Sequence, residues 1–209
     1  MRQADGNKKI YHSEINDKLK VVWVDGKKLL NTKNTNYSYG GLQEVLERGL
    51  RIIPIHRIES TLVLGMGGGS VVDSLRNKLE YDGPIIGIEI DLVVIDIAKK
   101  EYNIHNDPKV QIVQADASEY VAETRDKFDL IVVDIFIDDI VPEEFYLPTF
   151  WNNIESITSD NGFVLFNAGI DLPIDKMYEF LDIVPDSFIY TKKLNVLVSN
   201  TVFIFQKVF

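Results

Sequence analysis

A glycine cluster and three acidic residues sit at the ends of apolar runs in this chain, where side chains can act on a ligand instead of filling a core. "TLVLGM", which contains Gly65, leads into Gly67, Gly68 and Gly69 before Ser70, "PIIGIEI" carries Glu89 next to its end, "VQIVQAD" ends on Asp116, and "FDLIVVDIF" carries Asp134. A turn without Cβ atoms lets a ligand approach main-chain N–H groups, and carboxylate or phosphate is favoured where a helix then starts. The same glycines also permit tight turning and close packing. Glu89, about 20 residues beyond the glycine turn, is placed to accept hydrogen bonds from both hydroxyls of a ribose. Asp91 beside it reads as the cap of the next helix. Asp116 has two readings, as acceptor for the exocyclic amine of adenine or as cap of a short helix from Ser118. Open α/β sheets bind ligands at the carboxyl ends of their strands, so glycine or acid at successive strand ends points to a nucleoside. Gly65-x-Gly67-x-Gly69 followed by Ser70 departs from G-x-G-x-x-G, which tilts against a nicotinamide dinucleotide.

The elements that must position these residues follow from an alternation. After about residue 58, short apolar strands (61–66, 84–90, 110–116, 128–136 and 162–169) are separated by segments of helical spacing. Continuous runs rich in Val and Ile suit strands buried on both faces of a parallel sheet. "SVVDSLRNKLE" places Val71, Val72, Leu75 and Leu79 on one helical face, and "PIDKMYEFLDIV" does the same with Met177, Phe180 and Leu181. The expected fold is α/β, a Rossmann-like doubly wound sheet. "SFIYTKKLNVLVSNTVFIFQKV" leaves no room for a crossover helix, so the last two strands are expected to be antiparallel. Residues 1–50 read as a small appendage: a polar, frayed start, a β-hairpin about Asp25-Gly26, and a helix with Leu42, Val45, Leu46 and Leu50 on one face. Residues 51–209 read as the ligand-binding domain.

Composition narrows the chemistry. The 209 residues carry a formal net charge of −10 with no Lys/Arg cluster, which argues against nucleic acid and for a neutral or cationic small substrate. With no cysteine, and with His12, His56 and His105 scattered, neither a thiolate nor a metal site is expected. No apolar run approaches the roughly 20 residues that cross a bilayer, and "MRQADGNKKIYHSE" lacks the apolar core of a secretion signal. A cytoplasmic protein without a membrane partner is expected.

Taken in order, "LVLGMGGGS", "IIGIEID", "VQADASEY" and "FDLIVVDIFIDDIVPEEFYLPTFW", closed by an antiparallel pair, resemble the class I S-adenosylmethionine (SAM)-dependent methyltransferase fold. More narrowly, residues 20–209 are similar to its spermidine synthase-like branch. That resemblance implies that Gly65, Gly67 and Gly69 form the nucleoside loop with Gly68 inside it, that Glu89 takes the ribose, and that Asp116 and Ala117 meet the adenine. It implies a catalytic carboxylate at Asp134 and sets Tyr39, in "NYSYGG", near a tyrosine that lines the substrate site. The chain departs from the branch at Gly68, where an aspartate helps hold the donor's amine, at Leu29, where a glutamine is expected, and at "DIFIDD", which replaces Asp-Ser-Ser-Asp-Pro.

A sulfonium carbon is already activated, so such a site chiefly aligns a nucleophile and excludes water. Asp134 is the group to position an amine and take its proton. Asp138, Asp139, Glu143 and Glu144 either draw in a cationic acceptor or form a solvated loop. Tyr37, Tyr39, Phe145, Tyr146 and Trp151 line the acceptor pocket or belong to the core. The first expectation is a methyltransferase-type enzyme using SAM on a small cationic acceptor, because Gly68 and Leu29 deplete amine recognition and the N–H groups of residues 67–70 suit the carboxylate of intact SAM. The alternatives are an aminopropyltransferase using decarboxylated SAM and an amine, and a non-catalytic nucleoside-binding or dimerisation module. A homodimer fits each of them.

Overall fold

The structure, a computed structural model, describes residues 4–24, 26–32, 36–137, 140–170, 172–196 and 200–208. The chain begins with β1 (Ala4–Ser13), β2 (Asp17–Val24), β3 (Lys27–Asn31) and β4 (Asn36–Ser38), then α1 (Gly40–Leu50). There follow β5 (Thr61–Leu64), α2 (Ser70–Asp73), which runs on as a π-helical turn over Ser74–Lys78, β6 (Ile85–Glu89), α3 (Leu92–Tyr102), β7 (Val110–Gln114) and α4 (Ala117–Glu123). The rest comprises β8 (Phe128–Val133), α5 (Pro148–Ile157), β9 (Thr158–Ile170), α6 (Ile174–Leu181), β10 (Phe188–Val196) and β11 (Asn200–Lys207).

The large sheet has the order β10-β11-β9-β8-β5-β6-β7. Strands β9, β8, β5, β6 and β7 run parallel, while β11 is antiparallel to both β9 and β10, as the missing crossover helix required. Side chains of a strand alternate between faces, and the two halves of the core divide accordingly. Leu62, Leu64, Ile131, Val133, Val164, Phe166, Phe203 and Phe205 join one cluster, whereas Val63, Leu130, Val132, Leu165, Val202 and Ile204 join the other. Trp151 of α5 centres the first cluster, edge-on to Phe166, Phe180 and Phe205 at ring distances of 5.5, 5.1 and 5.0 Å. Its indole N–H donates to the Phe145 carbonyl at 3.0 Å, so the ring is buried without an orphaned donor.

Helix α1 belongs to the second cluster through Val45, Leu46 and Leu50. A Cβ on Gly49 would lie 2.6 Å from Leu165 Cδ1, so glycine lets α1 settle directly on β9. Helix α1 thus packs against β9 and β11 of the large sheet and also against β4 of the small one.

The small sheet is four-stranded, β1-β2-β3-β4. Its first strand corrects the expectation of a frayed start: residues 4–13 pair with β2, and Lys9 and Tyr11 reach across to α3. There Glu101, buried, accepts from Lys9 Nζ (2.5 Å), Tyr11 Oη (2.8 Å) and Lys28 Nζ (3.0 Å). Leu19, Val21 and Leu30 cover Val94 and Ile97 beside this cluster. The second hairpin turns between Val24 and Lys27, although Asp25 lies outside the described residues. No helix among the described residues is long and apolar enough to cross a membrane.

Candidate nucleoside and transfer site

Along the carboxyl ends of the parallel strands runs a cavity of about 340 Å³, within the range of small-molecule sites. Sheet order lays its polar groups in a row. Asp116 and Ala117 follow β7, Glu89 ends β6, Gly65 and Gly67 follow β5, Asp134 follows β8, Ile170 ends β9, and Asn200 begins β11. Neighbouring strands lie about 4.8 Å apart, so the row extends across six adjacent strand ends.

Gly65 fixes the centre. Its φ is +78°, and a Cβ there would lie 2.3 Å from the Asp134 main-chain oxygen, so no other residue fits without moving β8. Gly67 faces the cavity as well and donates its N–H to Glu89 Oε2 at 2.9 Å. The other carboxylate oxygen of Glu89 accepts from the Asp91 N–H at 3.0 Å. Burial outweighs these bonds and pushes the Glu89 carboxyl up to about 7. Asp91 caps α3 through Val93 N and also holds the β1–β2 turn, accepting from Ser13 Oγ and from Asn16 Nδ2 (2.7 Å). That turn brings Ile15 and Asn16 into the cavity wall.

Asp116 caps α4 with Oδ1, which accepts from Ser118 N (2.8 Å) and Glu119 N (3.0 Å). Oδ2 has no such bond among the described residues, so capping and ligand contact are compatible roles. Asp134 accepts from Asn167 Nδ2 at 2.9 Å through Oδ1, and burial raises its carboxyl to about 6 while it still faces the cavity. Asn167, fully buried, also accepts from Gly169 N (3.2 Å) and Asn200 Nδ2 (3.5 Å).

The other proposed residues are placed differently. Gly68 and Gly69 turn away from the cavity: Cβ positions on them would meet Ser38 and Tyr102, and Ile104. Tyr39 is also outside the cavity lining; it stacks on Tyr102 (4.3 Å) and donates to the Gly68 carbonyl at 3.2 Å, steadying the loop from behind. Phe145 lines the cavity, whereas Tyr146 bonds the Ala168 carbonyl and Trp151 lies in the core. Asp138 and Asp139 lie outside the described residues, as does the Tyr37 side chain.

The expected anion site at the glycine loop is reduced. Gly67 N already serves Glu89, Gly69 N donates to the Met66 carbonyl (3.0 Å), and α2 is only four residues long before its π turn. Among the described residues, the N–H groups of Gly68 and Ser70 are those of the loop left to receive a carboxylate. Sequence reading missed Asn167, whose signal was an amide within the apolar run "GFVLFNAG". It also missed Asn16 and Asn200, which carry no local motif, and Ser38, which sits within "NYSYGG"; all three reach the cavity through tertiary structure.

The sheet order and strand-end site define a class I SAM-dependent methyltransferase type of fold. The spermine/spermidine synthase domain matches residues 50–199, and the chain belongs to that family. The polyamine aminopropyltransferase of Thermoplasma volcanium is 27% identical over 159 residues, covering 72% of this chain and 54% of the relative. That of Thermococcus onnurineus is 32% identical over 114 residues, covering 52% and 39%. The chain thus spans about half the length of the curated relatives it matches. Among solved structures, a probable spermidine synthase from Corynebacterium glutamicum aligns over 98% of this chain and 78% of its own, with a TM-score of 0.69 and 13% identity. Human methyltransferase-like protein 13 in complex with SAH aligns over 81% and 79%, with a TM-score of 0.64 and 20% identity. At these identities the structural likeness speaks for the fold alone.

Proposed function

We propose that this chain is an aminopropyltransferase, moving the aminopropyl group of decarboxylated SAM to an amine. One observation carries the choice over methyl transfer. Among the described residues lining the cavity are Glu89, Asp116, Asp134 and Glu144, and none of those described is Lys, Arg or His. A carboxylate on the donor would meet only like charge there, whereas decarboxylated SAM brings a sulfonium and an ammonium and no anion. The family and the aminopropyltransferases it resembles support the same reading, against the methyl transfer first suggested by Gly68 and Leu29.

The donor's adenosine fits the acid-bearing half of the row. Glu89, prearranged by two main-chain N–H groups, accepts from the ribose hydroxyls, and Asp116 Oδ2 with Ala117 meets the adenine edge. Asp134 stands one strand beyond the glycine loop, where the sulfonium lies. It orients the acceptor nitrogen, whose lone pair forms a bond to the propyl carbon as the carbon–sulfur bond breaks and its electron pair stays on sulfur. The nitrogen's proton passes to Asp134, and methylthioadenosine leaves. Ordering by Asn167 keeps the carboxylate aimed during this step. The large sheet with α1 carries the machinery, and the β1–β2 turn and β4 close one wall through Ile15, Asn16 and Ser38.

Calorimetry on the intact chain tests the proposal. Methylthioadenosine is expected to bind at least tenfold, or about 1.4 kcal/mol, more tightly than S-adenosylhomocysteine, and decarboxylated SAM with an amine is expected to release methylthioadenosine. Tighter binding of S-adenosylhomocysteine would return the assignment to methyl transfer. Nucleoside binding without turnover on any amine would favour the non-catalytic alternative.

A further inference from the structure

Two serines on the cavity wall are buried yet unpaired. Ser38, in β4, and Ser70, at the start of α2, are each 2% exposed and line the cavity, and neither hydroxyl forms a hydrogen bond with a described residue. Buried polar groups are nearly always hydrogen-bonded, so such a pair marks the place of a ligand's polar group. Ser70 follows the glycine loop directly, and Ser38 Oγ lies 3.1 Å from where a Cβ of Gly68 would stand. Beside them Gly41 also lines the cavity, and a Cβ added to it would meet nothing within 4 Å, so the space stays open. A hydroxyl both donates and accepts, so the surrounding charge selects the partner. Asp73, one turn beyond Ser70, is tied to this wall by Gln43, whose Nε2 donates to its Oδ2 (2.6 Å) and to the Ser70 carbonyl (3.4 Å). Burial first, and then the Asp73 charge, raise the pKa of Tyr39, the neighbour of Ser38. With no Lys, Arg or His among the described lining, a cation is the partner that the charges favour.

Resting on the aminopropyltransferase reading, we infer that Ser38 and Ser70 hold the terminal ammonium of the donor's aminopropyl chain. A three-carbon chain leaving the sulfonium at the glycine loop ends beside Ser70, and both hydroxyl oxygens accept from its ammonium while Gly41 leaves room for it. Pinning that far end fixes the direction of the carbon bonded to sulfur, which must face the acceptor nitrogen at Asp134. Methylthioadenosine lacks this chain, so the two serines hold the donor and not the nucleoside product.

The test is calorimetry on the intact chain with decarboxylated SAM, its analogue bearing propyl in place of aminopropyl, and methylthioadenosine. The wild type is expected to bind decarboxylated SAM about tenfold or more tighter than the propyl analogue. Ser38→Ala and Ser70→Ala are each expected to weaken decarboxylated SAM about tenfold, leaving the propyl analogue and methylthioadenosine unchanged. Normal methylthioadenosine binding also reports that the variants fold. Equal wild-type affinity for decarboxylated SAM and the propyl analogue would overturn the inference without recourse to any variant. Undiminished decarboxylated SAM affinity in both variants, with methylthioadenosine bound normally, would overturn it too, while aminopropyl transfer would stand with the ammonium held elsewhere. Equal weakening of all three ligands would show that the serines only support the wall, and selective loss of S-adenosylhomocysteine would assign them to a carboxylate; either result overturns the inference. Failure of methylthioadenosine to bind the wild-type chain would overturn the aminopropyltransferase reading itself and this inference with it.

Discussion

Glu89 and Asp134 share a wall yet should respond differently to mutation. Glu89→Ala removes a charged acceptor from the ribose and is expected to weaken methylthioadenosine binding by roughly 1.5–3 kcal/mol. Asp134→Asn keeps a hydrogen-bonding side chain beside Asn167 and is expected to leave that affinity nearly unchanged while abolishing transfer. Equal loss of affinity in the two variants would assign Asp134 to the nucleoside. Their protonation adds a second observable. Burial holds Asp134 at about 6, so methylthioadenosine release should climb as pH rises through that value and Asp134 becomes able to accept a proton. A flat pH–rate profile from 5 to 7 would remove it from that role. Stability should move the other way. Glu89 at about 7, against an ordinary 4.5, means that the folded ligand-free protein binds more protons than the unfolded chain in between, so its unfolding free energy falls as pH rises over that span. Denaturant titrations of the wild type and Glu89→Gln at pH 5 and pH 8 should show the wild type losing about 2–3 kcal/mol relative to the variant.

At the scale of elements, the loop after β5 is held from behind by a stacked pair whose members differ. Tyr39 donates to the Gly68 carbonyl, while the buried Tyr102 hydroxyl has no hydrogen-bond partner among the described residues. Tyr39→Phe is expected to cost about 0.5–1.5 kcal/mol, whereas Tyr102→Phe should be neutral or slightly stabilising, as measured by urea unfolding. The same elements show how much the sequence disclosed. Val/Ile-rich runs announced β5, β6 and β8 and the parallel sheet, because burial on both faces writes itself into composition, and the absence of a crossover segment announced the antiparallel pair. Glu89, Asp116 and Asp134 were legible since each stands where an apolar run meets a turn. β1 was hidden: its polar letters gave no periodic signal, and what orders it is Glu101, ninety residues away from Tyr11. Tyr39 read as a pocket residue because sequence distance cannot tell which side of a loop an aromatic ring will take. Asn167 lay unremarked inside a strand for the same reason, its purpose visible only once β8 stood beside β9.

For the molecule as a whole, the junction between the two sheets is both apolar and ionic. Glu101 gathers Lys9, Tyr11 and Lys28, and these partners hold its carboxyl down to about 2. A lowered value contributes stability above the ordinary 4.5 and loses it as pH falls through about 2, the reverse of Glu89. Glu101→Ala is expected to cost about 1.5–3 kcal/mol and to make the β1–β2 segment the first site of limited proteolysis. At the other end of α3, Asp91 answers to three masters: it caps its own helix, grips the β1–β2 turn through Ser13 and Asn16, and hands its N–H to Glu89. A ligand seated against Glu89 therefore shares a cavity wall with the turn that Asp91 retains. The amide protons of residues 13–17 should thus keep time with the occupancy of the cavity, exchanging with solvent deuterons more slowly as methylthioadenosine fills it, so that a hairpin tip serves as the clock of the site's filling and emptying.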